Sequence, residues 1–419
     1  MRTDYKKKWT TWFLICVIFI DFIGMATVVV IFPKLLLTSN IIFTESTSDG
    51  RRLMWMGVLL ALYPFAQIIG APLFGKLSDY YGRKRLLIIT LVGTLFGFAM
   101  TSFSIALGLP MLLFISRFVA GFCAGNVAIA QASLLDISND ETRTKNIALS
   151  QMAMGSAYIV GPILGALLSE SATVSWLSSA TPFWLLSLVL GVLILVTIFY
   201  YQDTLLQPIK EKIELIGSIK QIYNAMTDVK LRGSFISWLL FVSGWWLFES
   251  YMPVFLLQRF HFSTMQIGNV LSFNGALYAG FQYLIVQKVS RLIKPEVMIK
   301  YSGFIVALSI MSLAFVNSIF ELYVAMTVFV VSMGFMIPGL ISYISSQANQ
   351  SAQGQVMGMV NSIQAVSTVI VMLLGGYLNA FNHEFTIIGG GLLVLVSWLV
   401  FLLMLNKKNQ SHLYVADTQ

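Results

Sequence analysis

Charge is what this sequence has least of. Only 11% of its 419 residues are Asp, Glu, Lys or Arg, where a soluble domain would carry about a quarter. Cysteine and histidine are scarcer still, at two and three residues. Cys16 and Cys123 both lie in apolar runs, which excludes a disulfide framework and a metal-ligand spacing. His261, His383 and His412 fall in loops or the tail, so no His/Cys cluster forms along the sequence. There is no P-loop and no GxGxxG fingerprint. These absences point away from an enzyme, and they predict no catalytic residue, no metal and no cofactor.

What fills the chain instead is apolar. Hydrophobic residues make up 57% of it and its mean hydropathy is +0.81, so the solvent it fits is lipid. A net charge of +8 and a pI of 9.3 would suit nucleic acid, but the placement of the charges gives them another use. Twelve apolar runs reach the ~20 residues a helix needs to cross the hydrocarbon. They are 12–37, 53–75, 86–106, 110–135, 146–169, 182–201, 235–258, 266–287, 297–316, 320–345, 355–380 and 386–405. The N-terminal "MRTDYKKKW" leads into a run too long for a signal-peptide core, with no small-residue cleavage site after it. A retained first span is therefore expected. With both termini in the cytoplasm, Lys and Arg crowd the inner segments, and only Arg51, Arg52 and Arg259 fall in outer loops. That bias obeys the positive-inside rule. It predicts a multi-pass protein of a bacterial cytoplasmic (inner) membrane, with the lipid bilayer and not nucleic acid as its partner.

The fold class expected is all-α integral membrane, with twelve transmembrane helices in two six-helix halves. The halves are 1–201 and 233–419, joined by a cytoplasmic linker at 202–232. Six plus six spans suggests a transporter built from two repeats. The linker contains "KEKIELIGSIKQIYNAM", which fits either an amphipathic surface helix or a solvated connection.

Away from the ends of the apolar runs, three charges remain: Asp21, Arg117 and Glu249. An unpaired charge there costs several kcal/mol, so such residues are expected to face the interior and to have a function. Helical rise puts them ~14, ~20 and ~21 Å from the cytoplasmic face of a ~30 Å core. Asp21 and Arg117 suit an ion pair across helices one and four, which protonation of Asp21 would open. A permanent salt bridge is the alternative. Glu249, in "SGWWLFESYMP", has Trp245 and Trp246 beside it. That setting suits a cationic substrate or a second proton, and its alternative is an outer aromatic belt. Lys34 reads as a side chain snorkelling to the interface.

Polar groups also recur at helical spacing. Helix eight carries Asn274, Tyr278 and Gln282; helix eleven carries Asn361, Gln364 and Ser367–Thr368; helix two carries Tyr63 and Gln67. With Asn126, they predict either a wet substrate cavity or interhelical hydrogen bonds. Small residues recur at every fourth position, as Ala153, Ala157, Gly161 and Gly165 on helix five and Gly268, Ser272, Ala276 and Gly280 on helix eight. Such stripes let backbones approach closely, and Pro162 would bend helix five.

Four stretches resemble one family. "GKLSDYYGRKR", from Gly75 to Arg85, resembles the loop 2–3 signature of the major facilitator superfamily. "DFIGMATVVVIFP" in helix one, "RFVAGFCAG" in helix four and "AYIVGPILGA" in helix five resemble motifs of its drug:proton antiporter branch, as does "LLDISNDETRTKNIALS" between helices four and five. Helix nine carries no acid where tetracycline exporters of this branch have one, so the resemblance stops short of tetracycline as the substrate. It implies the major facilitator fold, in which helices five and eight meet, and a proton-coupled exporter of a small organic molecule working as a monomer by rocker-switch alternating access. Proton coupling then falls to Asp21, Arg117 and Glu249. The substrate cavity falls to Tyr63, Gln67, Asn126, Trp245, Trp246, Glu249, Asn274, Tyr278, Gln282, Asn361 and Gln364. Gly161, Pro162 and Gly165 form the antiporter motif. Gly75, Asp79, Gly82, Arg83 and Asp136 form a cytoplasmic gate, in which Asp79 faces the N-terminus of helix eleven and Arg83 pairs with Asp136. An importer of a polar metabolite or siderophore by proton symport is the alternative, and a non-transporting receptor a more distant one.

Overall fold

The structure, a computed structural model, describes residues 2–169, 177–205, 231–290, 292–347 and 353–416. Every regular element among them is helical. Backbone polar groups have no water to bond in lipid, and a helix satisfies them within its own segment. Before the linker run α1 (Arg2–Leu37), α2 (Asp49–Tyr81), α3 (Arg83–Leu107), α4 (Pro110–Cys123), α5 (Asn126–Asp136), α6 (Asp140–Ser169) and α7 (Thr181–Phe199). After it run α8 (Arg232–Phe260), α9 (Thr264–Phe281), α10 (Pro295–Leu313), α11 (Ile319–Ser346), α12 (Gln353–Phe381) and α13 (Glu384–Ala416). The linker segment expected to be amphipathic lies outside the described residues.

Eleven stretches among the described residues are long and apolar enough to span a bilayer, α4 and α5 together making one. The run expected at 266–287 is not among them. It lies on α9, which passes at Gln282 into a π-helical turn, Gln282–Val286. Its Gln266, Asn269, Asn274 and Gln282 lower the hydropathy by which a span is recognised.

Contacts divide the chain into two compact units, residues 1–215 with 256–275 and residues 216–255 with 276–419. In the first unit α1 lies along α6, α2 along α4, and α3 against both α4 and α7. The α2–α4 contact is backbone to backbone. A Cβ on Gly70 would fall 1.8 Å from the Phe122 carbonyl oxygen, and one on Gly121 would fall 2.2 Å from that of Tyr63. No side chain fits at either place, so these glycines set how near the two helices come.

The small-residue stripes of α6 and α9 do not simply face each other as expected. Gly161 and Gly165 admit α1: they sit against Ala26 and Thr27, and the Thr27 hydroxyl donates to the Gly161 carbonyl at 3.3 Å. α9 does meet α6, but on another face. Gly268 packs on the Pro162 carbonyl and Ala166, Gly275 packs on Ile159, and Ser272 Oγ donates to the Ile159 carbonyl at 2.7 Å. A helix rotates about 100° per residue, so one glycine stripe serves one neighbour and the adjoining Pro162–Ala166 face serves the next. Gly280 borders open space.

In the second unit α10 packs against α11 and α13, and α12 against the same two helices. Three hydrogen bonds tie α8 to α12: Trp238 Nε1 to the Val360 carbonyl at 3.1 Å, the Ser243 and Ser367 hydroxyls at 2.7 Å, and the Tyr251 hydroxyl to the Met372 carbonyl. Ser367 therefore belongs to helix packing and not to a wet wall.

Candidate functional site

The charge cluster of the first unit is built on α1, α2, α4 and the start of α5. Asp21 is 4% exposed and Arg117 2%. The helix of span four breaks at Ala124–Gly125, and the break presents Asn126, fully buried, to α1. Asn126 Nδ2 donates to Asp21 Oδ1 at 3.0 Å while its own Oδ1 accepts from the Val127 amide at 2.9 Å. Tyr63 gives Asp21 a second side-chain hydrogen bond. The face of the same tyrosine lies under Arg117, whose guanidinium carbon is 4.7 Å from the ring centroid and 5.7 Å from that of Phe32.

The direct Asp21–Arg117 ion pair suggested by the sequence is therefore replaced. Tyr63 stands between the charges, its hydroxyl on the acid and its ring under the cation. The two charges still attract each other. Arg117 Nε and Nη1 are buried and have no hydrogen-bond partner among the described residues. An arginine held by ring faces and a distant acid, with donors to spare, can be redirected by a change of charge next to it. Tyr63 belongs to the apolar cluster with Ala120 and Ala124, against which Met25 packs. Gln67, one turn on along α2, is half-buried.

At the cytoplasmic end of the same unit, Arg83 pairs with two acids: Nη2 with Asp79 Oδ1 at 2.6 Å and Nε with Asp136 Oδ2 at 2.9 Å. Its Nη1 donates to Ser78 Oγ at 2.6 Å. One side chain thus joins the end of α2, the start of α3 and the end of α5. A further acid, Asp203, was not anticipated. Its carboxylate accepts from the amides of Arg83 at 3.0 Å and Lys84 at 3.3 Å, so it caps α3. A negative group suits a helix N-terminus, where amide donors lack partners. Gly82 turns the chain there with φ of +98°, and a Cβ on it would lie 2.4 Å from Asp203 Oδ2. Gly75 has nothing within reach of an added Cβ, so no close approach is made at it among the described residues. The start of helix eleven, expected opposite Asp79, includes residues 348–352, which lie outside the described residues.

In the second unit Glu249, Trp245 and Trp246 are half-buried on α8. The Trp245 side chain hydrogen-bonds Glu249 one turn on. Trp246 Nε1 and Ser250 Oγ are buried with no hydrogen-bond partner among the described residues. Asn361 is exposed and Gln364 half-buried on α12, and Asn274 is buried on α9 in the first unit. Tyr278 and Gln282 line a cavity of about 640 Å³ between the π-helical turn, α11 and α12. Glu249, Trp245, Trp246, Asn361 and Gln364 are not on its wall.

A family model described as Major Facilitator Superfamily matches residues 14–372. The class H tetracycline resistance protein of Pasteurella multocida is 25% identical over 401 residues, covering 92% of this chain and 92% of that one. Multidrug resistance protein 1 of Bacillus subtilis (strain 168) is 27% identical over 381 residues, covering 89% and 90%. Among solved structures, the human organic anion transporter MFSD10 (TETRAN) matches with a TM-score of 0.69 at 17% identity, over 94% of this chain and 99% of that one. That structural likeness speaks to the fold alone. The family match spans most of the sequence and contains the motifs of helices one, two, four and five, and on that ground the chain belongs to the Major Facilitator Superfamily.

Proposed function

We propose that the protein is a proton-coupled exporter of a small organic molecule, in the bacterial inner membrane with both termini in the cytoplasm. The observation that carries this reading is the buried Asp21 carboxylate, bonded by Asn126 and Tyr63 with Arg117 stacked over that tyrosine. In this reading the carboxylate is the proton's site. When it is charged, it accepts both hydrogen bonds and attracts Arg117 through the ring. When it is protonated, the attraction is gone and the carboxyl gains a donor, so the hydrogen bonds of Tyr63 and Asn126 must rearrange. The proton thereby changes the packing of α1 against α2 and α4, the kind of local two-state element that alternating access requires. Glu249, beside two indoles, is the second candidate for a proton or a cation.

The Arg83 network is assigned the role of a cytoplasmic latch. It is built from charge-assisted hydrogen bonds, which are stronger than neutral ones, and it fixes the ends of α2, α3 and α5 as one block. Names of relatives such as tetracycline resistance protein and multidrug resistance protein 1 support an exporter. The test is flux in proteoliposomes under an imposed pH gradient. Substrate leaving against an entering proton supports export. Movement of both in the same direction would establish the symport importer instead, the reading favoured by the uncharged wall of the second unit's cavity.

A further inference from the structure

Two of the three cations expected in outer loops sit side by side at the start of α2, and they differ in what they hold. Arg52 is 4% exposed. Its Nε donates to the Thr47 carbonyl at 3.2 Å. Its Nη1 donates to the carbonyls of Leu36, Leu37 and Ser39 at 3.3, 3.4 and 3.1 Å, and its Nη2 to Asn40 Oδ1 at 2.9 Å and the Thr44 carbonyl at 3.0 Å. Arg52 thus closes the end of α1 and folds the loop after it, which accounts for a positive charge on the side where such charges are scarce. Arg51 is used differently. It is exposed, and its contacts are long: Nε to Ser48 Oγ and Nη2 to the Ser46 carbonyl, both at 3.4 Å.

Arg51 lines a groove of about 250 Å³ with Met54, Trp55 and Val58. These positions are i, i+3, i+4 and i+7, one face of α2. The Trp55 ring, 48% exposed, is braced by Phe114 of α4, with centroids 5.5 Å apart and planes at 75°. Depth follows from the helical rise. Arg51 lies two residues before the apolar run that begins at 53, and Trp55 lies just inside it. Val58 is ~10 Å further along the axis than Arg51. The cation and the indole therefore stand at headgroup level, where tryptophan is enriched, and Val58 stands at acyl level. The polar side chains of this wall only donate, because neither a guanidinium nor an indole N–H accepts. No acid lines the groove. Such a wall selects phosphate oxygens, and it repels the ammonium of a zwitterionic headgroup.

We propose that this groove holds one anionic phospholipid, its phosphate on Arg51 and Trp55 and an acyl chain along Met54 and Val58. The experiment uses the purified full chain in detergent micelles. Its tryptophan fluorescence is quenched by phosphatidylglycerol or phosphatidylcholine carrying brominated acyl chains. The chain has nine tryptophans, so Trp55→Phe, which keeps an aromatic wall, identifies the share due to Trp55. That share should saturate at an about fivefold lower mole fraction of phosphatidylglycerol than of phosphatidylcholine, the worth of one cation at an anionic surface. Arg51→Gln should abolish the difference and Arg51→Lys should keep most of it, both with an unchanged melting temperature in lipid-free detergent. Millimolar inorganic phosphate at constant ionic strength should leave the lipid in place. Equal quenching by the two lipids, a preference that survives Arg51→Gln, or displacement by phosphate overturns the proposal. A lowered melting temperature in Arg51→Gln also overturns it, because Arg51 would then hold the loop as Arg52 does. The readout is lipid binding alone, so failure here leaves the exporter reading standing.

Discussion

The first unit adds charge to its buried hydroxyls, and the second relies mostly on hydroxyls and amides. In the first, Asp21, Arg117, Arg83 and Asp136 are held through rings, amides and ion pairs on five helices. In the second, buried serines, Trp238, Tyr251 and Asn379 bond hydroxyls or main-chain carbonyls, and Glu249 is an acid set among such groups. Charge responds to a proton over several ångströms, whereas neutral hydrogen bonds respond to the shape and donors of what touches them. The contrast suits a division in which the first unit senses the proton and the second selects the substrate.

Disrupting the scaffold of the charged unit should have the largest effect. Gly70→Val drives a branched side chain into the Phe122 carbonyl. Overpacking of this kind costs about 1–3 kcal/mol, and here backbone must move. The expected outcome is a marked loss of monodisperse protein in size-exclusion chromatography, set against near-normal behaviour of Gly75→Ala, whose Cβ meets nothing.

Tyr63 is the next point of leverage. Tyr63→Leu removes both the hydroxyl on Asp21 and the ring under Arg117, while Tyr63→Phe removes the hydroxyl alone. Proton-driven flux should fall in both and fall further in the leucine variant. Equal losses would mean that the ring contributes nothing to coupling.

A smaller effect is expected at the latch. Asp79→Ala deletes the more exposed of the two acids that hold Arg83. Transport should slow while substrate affinity in equilibrium binding stays as it was, and normal flux would reduce this loop to a signal for topology. Asp203→Ala should cost least, about 0.5–2 kcal/mol for a lost helix cap, read as a lowered melting temperature in detergent with flux largely retained.

Much of this is legible in the sequence alone. Hydropathy marks all twelve runs because lipid imposes length and composition on every crossing helix, and eleven of them coincide with described helices long and apolar enough to span. Asp21, Arg117 and Glu249 stand out because a charge in an apolar run is costly. Their partners do not stand out. Tyr63 reads as one aromatic among many, and its place between two charges depends on how near Gly70 and Gly121 let α2 come to α4. The glycine stripe of α6 announces a close neighbour without naming α1. The π-helical turn leaves no mark in "GFQYLIV", and the polar residues that make α9 interesting are those that lower the hydropathy of its run. Asp203 comes just after the last aromatic residues of span six and looks like ordinary linker. Its use comes from a loop turn at Gly82, far earlier in the chain.

The most direct test of the proton's site is counterflow in proteoliposomes with an imposed proton gradient, comparing the natural chain with Asp21→Asn. The amide keeps the size and most of the hydrogen bonding of Asp21 and cannot exchange a proton at neutral pH. Gradient-driven export should fall to background in Asp21→Asn, while substrate exchange without a gradient continues. Gradient-driven export at the natural rate in that variant would contradict the account.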